Sequence, residues 1–250
     1  MILPYPYGNR RAAGRPATEL VILLHGFGGR PVLMSRVARH LRRNNYAVRN
    51  WAYRSVRGRI SDHSSRLRDE LARIAAEGKF ERIHFVTHSL GGIVVRQLMS
   101  QTALAAICRI VMLAPPNSGT PVARFAALAL RRFCPVLREI SDQKASLVNR
   151  LSPPPSVEIG IIAGSGDWVV QQSSTHLFNE RDHIVLRGGH LRLPFLRSCV
   201  EQVEYFLRHG AFNHAPTAGN ALSPTALSRL SSPIVVESEL PMSHAAADLR

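Results

Sequence analysis

Acidic residues are scarce in this chain of 250 residues. Seventeen Asp and Glu stand against 32 Lys and Arg, a formal net charge of +15. A chain this basic attracts anionic partners. Its cations are nearly all arginine, scattered in pairs such as Arg42-Arg43 and Arg131-Arg132, and no nucleic-acid module accompanies them. Specific nucleic-acid binding is therefore set aside, and an anionic membrane surface is the partner expected of the charge. Cysteine is also rare. Cys108, Cys134 and Cys199 leave one thiol over in any pairing scheme, and no CxxC or Cys/His metal spacing occurs. His176, Asp182, His183 and His190 likewise lack a short paired ligand spacing. No metal and no other cofactor is expected. No apolar run is long enough to span a bilayer, and Met1 to Pro6 lacks the charged start and apolar core of a signal peptide. The expected location is the cytoplasm. The two nucleotide-loop patterns, G-x-G-x-x-G and G-x-x-x-x-G-K-[ST], are absent as well.

What is present is a repeated alternation. At 45% hydrophobic residues the chain can bury one sizeable core. Largely apolar runs such as Glu19 to Leu24, Arg82 to Val86, Ala106 to Ala114 and Val157 to Ala163 have the composition of sheet strands, the first that of a strand buried on both faces. Between them lie segments with apolar residues at helical spacing: Leu33, Val37 and Leu41, then Leu67, Leu71 and Ile74, then Ile93 to Met99, and finally Phe195 to Leu207. Such alternation predicts an α/β fold, a doubly wound and mainly parallel sheet. Residues 1–17 form an irregular lead-in and 18–210 the α/β domain. Residues 211–250, rich in Pro, Ser, Ala and Thr, form a flexible tail in which only Ile234-Val235-Val236 suggests docking. Residues 122–151 are helical in pattern and interrupt the strands, where either a cap over a site or a core-packing helix pair would fit.

One stretch organises the rest. In Arg82-Ile83-His84-Phe85-Val86-Thr87-His88-Ser89-Leu90-Gly91-Gly92 a strand runs into a serine, two glycines and a helix. Alone, this also fits an ordinary connection with Ser89 as a helix N-cap. The remaining chain supplies partners for a nucleophile. Phe27 sits in the glycine-rich loop His25-Gly26-Phe27-Gly28-Gly29 after the first strand, Asp167 follows Val157 to Ala163, and His190 follows His183 to Leu186. If these strands run parallel, all four residues meet at one sheet edge, where such folds form their sites. Each residue type has a task there. A serine hydroxyl becomes nucleophilic when a neutral imidazole, His190, accepts its proton, and a carboxylate, Asp167, holds that imidazole in the right tautomer. Backbone N–H groups of Phe27 and Leu90 would form the oxyanion hole. Asp182 and Glu180 precede the strand that delivers His190, so they sit at its wrong end. His25, His88 and Trp168 complete the surroundings expected to bind substrate, His25 bracing the oxyanion loop and His88 packing beside the serine.

On these motifs, with Ala114-Pro115-Pro116-Asn117-Ser118-Gly119 and Gly164-Ser165-Gly166-Asp167-Trp168, the chain resembles the α/β-hydrolase superfamily over about residues 18–210. The likeness extends more narrowly to bacterial lipases and esterases, including the group similar to GPI-inositol deacylases. It departs at Thr87, where the family's G-x-S-x-G pattern has glycine. The resemblance implies a serine hydrolase cleaving small-molecule or lipid esters. The other reading is a non-catalytic or acyl-transferring relative, a binding module on the same fold.

Overall fold

The computed structural model describes residues 17–101, 106–130, 133–152, 154 and 157–214. Nearly all of the expected lead-in and of the expected tail, with Ile234-Val235-Val236, lies outside them. Six strands form one sheet: β1 (Glu19–Leu24), β2 (Ala47–Trp51), β3 (Arg82–His88), β4 (Ile107–Leu113), β5 (Glu158–Gly164) and β6 (Asp182–Leu186). The order is β2-β1-β3-β4-β5-β6, and every pairing is parallel. The helices are α1 (Ser35–Arg43), α2 (Ile60–Ala76), α3 (Leu90–Gln101), α4 (Pro121–Leu130), α5 (Val136–Glu139), α6 (Leu147–Arg150), α7 (Gln172–Thr175) and α8 (Arg197–His209).

The central strands β1, β3, β4 and β5 are mostly apolar and buried because both faces of the sheet are covered there. In β1, Leu20, Ile22 and Leu24 join one core, and Val21 and Leu23 join the other. The first core packs against α2, α3 and the short helices α4 to α6, and the second against α1 and α8. Helix α1 shows why: Val37, Ala38 and Leu41 are buried while its arginines stay outside. Helix α2 starts with a one-sided cap, the Asp62 carboxylate accepting from the Arg59 N–H at 2.8 Å.

Chain order reverses between β1 and β3, since β2 lies on the far side of β1. At such a switch the two following segments leave toward opposite faces and open a crevice. The loop after β1 and the turn after β3 therefore face each other across it. The register Leu24↔Thr87, His88↔Leu113, Leu113↔Ile162 and Gly164↔Leu186 aligns the carboxyl ends of β1, β3, β4, β5 and β6.

Two expectations need redrawing. The helical pattern of 122–151 forms three helices, α4 to α6, rather than a pair, and Pro135, which lacks an N–H, precedes the second. The expected helix from Phe195 divides too. His190–Phe195 is a 3-10 helix containing Pro194, and Leu196 is extended before α8 begins. Beyond α8 the packed body continues: Phe212 is buried, 4.8 Å from the Phe206 ring, and its N–H reaches Asp182 Oδ2.

Candidate active site

The turn after β3 is strained where the sequence pattern places the serine. Ser89 has φ +51°, the left-handed region that side chains other than glycine rarely adopt. It is held there from both sides. Its N–H donates to Leu113 O at 2.8 Å, and α3 begins at the next residue. The helix can start so abruptly because Gly91 lies against β1: a Cβ there would stand 2.8 Å from Leu24 O. Thr87, at the family's glycine position, is fully buried, and room for it comes from the other glycine. A Cβ on Gly92 would stand 3.3 Å from Thr87 Oγ1.

The loop after β1 closes over this turn. A Cβ on Gly26 would lie 2.9 Å from Ser89 Cβ, so the backbone of Gly26 and Phe27 passes directly over the serine. His25 Nδ1 donates to Gly26 O at 2.9 Å, Tyr53 Oη donates to His25 O at 2.7 Å, and the two rings stack at 4.5 Å. Tyr53, just beyond β2, was not singled out from the sequence. An aromatic at a strand's carboxyl end was the available signal.

On the far side, Asp167 and His190 come together from the ends of β5 and β6. His190 Nδ1 donates to Asp167 Oδ2 at 2.7 Å, with both side chains almost wholly buried. The other carboxylate oxygen accepts the N–H groups of Val169 and Val170, each at 2.9 Å. Asp167 is thus held by three donors. His88 Nε2 donates to His190 O at 3.0 Å, which seats the imidazole-bearing residue against the neighbour of Ser89.

The residues expected to surround a substrate differ in burial. His25 and His88 are 0% and 2% exposed, and their hydrogen bonds hold the backbone of Gly26 and His190. Trp168 is 78% exposed and stands open to solvent beside the acid.

Burial, with His190 nearby, holds the His88 imidazole down to about 3, and burial also lowers His25, His63 and His183. A folded pKa below the ordinary 6.5 means that the unfolded chain binds protons first as pH falls. The stabilisation is complete above about pH 6.5 and is lost toward the folded value. His88 alone then costs up to about 1.4 kcal/mol per pH unit below its unfolded pKa. A melting temperature that falls steadily from about pH 7 to about pH 4.5 is the expected result. A flat profile in calorimetry would refute it.

A buried arginine links the two halves. Arg96 on α3, 3% exposed, donates Nη1 to Asn117 O at 2.9 Å and Nη2 to Leu151 O at 2.9 Å. Asn117 Nδ2 in turn donates to Thr175 O at 2.6 Å, and the Thr120 hydroxyl donates to Val169 O. The serine helix is thereby tied to the segment that follows Asp167. An arginine within the apolar run Ile93 to Met99 was the sequence signal for it.

Known proteins agree with the architecture. Lipase BlEst2 of Bacillus licheniformis in its mature form superposes with a TM-score of 0.62 at 15% identity, covering 81% of this chain and 94% of that one. A metagenome-derived lipolytic enzyme from the LipS and LipT study gives 0.59 at 17% identity, covering 77% and 94%. Phospholipase PlaB of Legionella pneumophila, in complex with thio-NAD, gives 0.53 at 20% identity over 64% of this chain, which spans only 44% of that protein's length. At such identities the likeness is one of fold. No curated protein matches the chain in sequence. A family model, by contrast, matches residues 21–239. With that match over most of its length, the chain belongs to the alpha/beta hydrolase family.

Proposed function

We propose that the chain is a serine hydrolase that cleaves carboxylic esters through an acyl-enzyme on Ser89. The observation that carries this reading is the 2.7 Å bond from His190 Nδ1 to Asp167 Oδ2, at the sheet edge that also bears a strained serine. With Nδ1 donating to the carboxylate, the neutral imidazole keeps Nε2 free to accept the Ser89 proton. The serine oxygen attacks the ester carbonyl as that proton moves. The tetrahedral oxyanion is received by the N–H groups of Phe27 and Leu90. Leu90 opens the 12-residue helix α3, so its N–H has no partner within the helix. One such donor is worth on the order of 3 kcal/mol. Collapse expels the alcohol, which takes the proton from His190, and water releases the acid by the same steps.

A fluorophosphonate probe tests the reading directly. The folded protein should label on Ser89, and a folded protein that stays unlabelled would instead be a binding module on this fold. A series of p-nitrophenyl esters of increasing chain length would then define the acyl preference. The narrower likeness to inositol deacylases rests on the sequence motifs alone.

The substrate class is a small-molecule or lipid ester, and an anionic membrane surface is the partner that suits the charge. Exposed apolar side chains beside the site edge support the lipid reading: Phe125 is 62% and Leu128 75% exposed on α4, within the proposed cap. If α4 to α6 act as a mobile cap, turnover should rise as substrate passes its solubility limit, because an interface would stabilise the open form. A smooth saturation curve through that limit would leave a fixed cap.

A further inference from the structure

The nine residues of α1 carry Arg36, Arg39, Arg42 and Arg43 and no acid. Arg36, Arg39 and Arg43 follow the i, i+3, i+7 spacing that makes one stripe along a helix. Across from that stripe stands Arg197, at the start of α8. Between them lies a cavity of about 550 Å3, whose lining also includes His40 and Phe195. A second cavity, of about 420 Å3, shares Arg39 and Arg43 with it and adds Arg42.

The positive charge here is not balanced from within. Glu201 is the one acid lining the larger cavity, and it already pairs with Arg197 at 2.7 Å. Among the described residues no carboxylate comes within ion-pair distance of Arg36, Arg39 or Arg43. His40 Nε2 is buried with no hydrogen-bond partner among the described residues. Several arginines elsewhere do meet acids: Arg49 and Arg73 hold Glu70, and Arg109 and Arg181 hold Glu158.

We propose that this cavity between α1 and α8 binds a phosphate group, carried by an anionic phospholipid head group or by a soluble phosphate ester. Guanidinium forks match phosphate oxygens in pairs of charge-assisted hydrogen bonds. A carboxylate is planar and is satisfied by one or two such forks, whereas a phosphoryl group can accept from several directions. The two elements forming the cavity approach from different sides and offer that arrangement. Phe195, 39% exposed, provides an apolar wall, and it lies five residues beyond His190. A lipid head group held there would set a bilayer beside the edge that carries Ser89. The site stands independently of the ester-cleaving reading, since none of its side chains takes part in that chemistry.

The test uses the full chain in two binding assays. Sedimentation with phosphatidylcholine vesicles, with and without phosphatidylglycerol, probes the lipid source. Titration calorimetry with inorganic pyrophosphate probes the soluble one. The site variant is Arg36→Gln/Arg39→Gln/Arg43→Gln. A variant of equal charge, Arg66→Gln/Arg68→Gln/Arg73→Gln on α2, removes three exposed arginines from the opposite face of the sheet. Binding should fall by more than about tenfold in the site variant, the scale of losing charge-assisted hydrogen bonds, and change little in the control. The site variant should keep the wild-type melting temperature, and both variants the wild-type turnover of a soluble ester. Loss on anionic vesicles alone identifies a head group, and loss with pyrophosphate alone a soluble ester. Equal losses in the two variants would reduce the effect to net charge and overturn the proposal. So would a wild type that binds neither probe.

Discussion

Replacing Ser89 by alanine is expected to abolish ester turnover, by about six decades, while the fold survives. Removing such a nucleophile elsewhere costs about that much, because imidazole and carboxylate accomplish little without an oxygen to activate. The fold should survive because the geometry of the turn does not depend on the hydroxyl. Its φ of +51° is imposed by the Leu113 bond to the Ser89 N–H and by the close approach of Gly91 to β1. Alanine at that φ carries a strain similar to serine's, so the stability change should stay below about 1 kcal/mol. Turnover of a soluble ester, fluorophosphonate labelling and the melting temperature, measured on one preparation, settle the matter. A clean alanine variant that retains more than a few per cent of wild-type turnover would remove Ser89 from the mechanism.

The second large effect separates two aspartates that chain order alone leaves equivalent. Asp167→Asn is expected to lower turnover by about 10⁴, equivalent to about 5.4 kcal/mol in the barrier. Asp182→Asn should leave turnover nearly unchanged. The asparagine oxygen at 167 can still accept the N–H groups of Val169 and Val170, so the loop should stay in place. Its NH2 group then faces His190 Nδ1, which can only accept from it. The ring proton moves to Nε2, and the imidazole meets Ser89 with a donor where an acceptor is needed.

Asp182 sits at the amino end of β6, paired in register with Gly160, whereas Leu186 at the other end pairs with Gly164. Four residues of strand separate those ends by about 13 Å. Its carboxylate already accepts from the N–H groups of Phe212 and His183, at 2.6 and 2.7 Å. Asp182→Asn should therefore lower the melting temperature without lowering turnover. Reversed effects on turnover would sink the assignment of Asp167.

The parts of this site legible in the sequence were those set by neighbours along the chain. Apolar runs that end in glycine-containing turns marked where β1, β3 and β5 stop, and strand direction then placed Phe27, Ser89 and Asp167 at one end. Strand direction likewise excluded Glu180, whose carboxylate in the fold accepts from the Leu177 N–H and from His176. Thr87 looked like a departure because the space it uses belongs to Gly92, five residues on and around the turn.

What the sequence alone determined was the alternation of strand and helix, the two-faced burial of the sheet, and the order of serine, acid and histidine. Each follows from local spacing, since side-chain direction repeats every two residues in a strand and every 3.6 in a helix. Only the tertiary structure decided which side chains reach a surface and which residues distant in sequence touch. It buried His25 and His88 and left Trp168 exposed. It joined Arg96 to Asn117, and it gathered scattered arginines of α1 and α8 around one cavity. Contacts across 20 to 160 residues depend on the order in which strands pair, and that order is a property of the whole packed sheet.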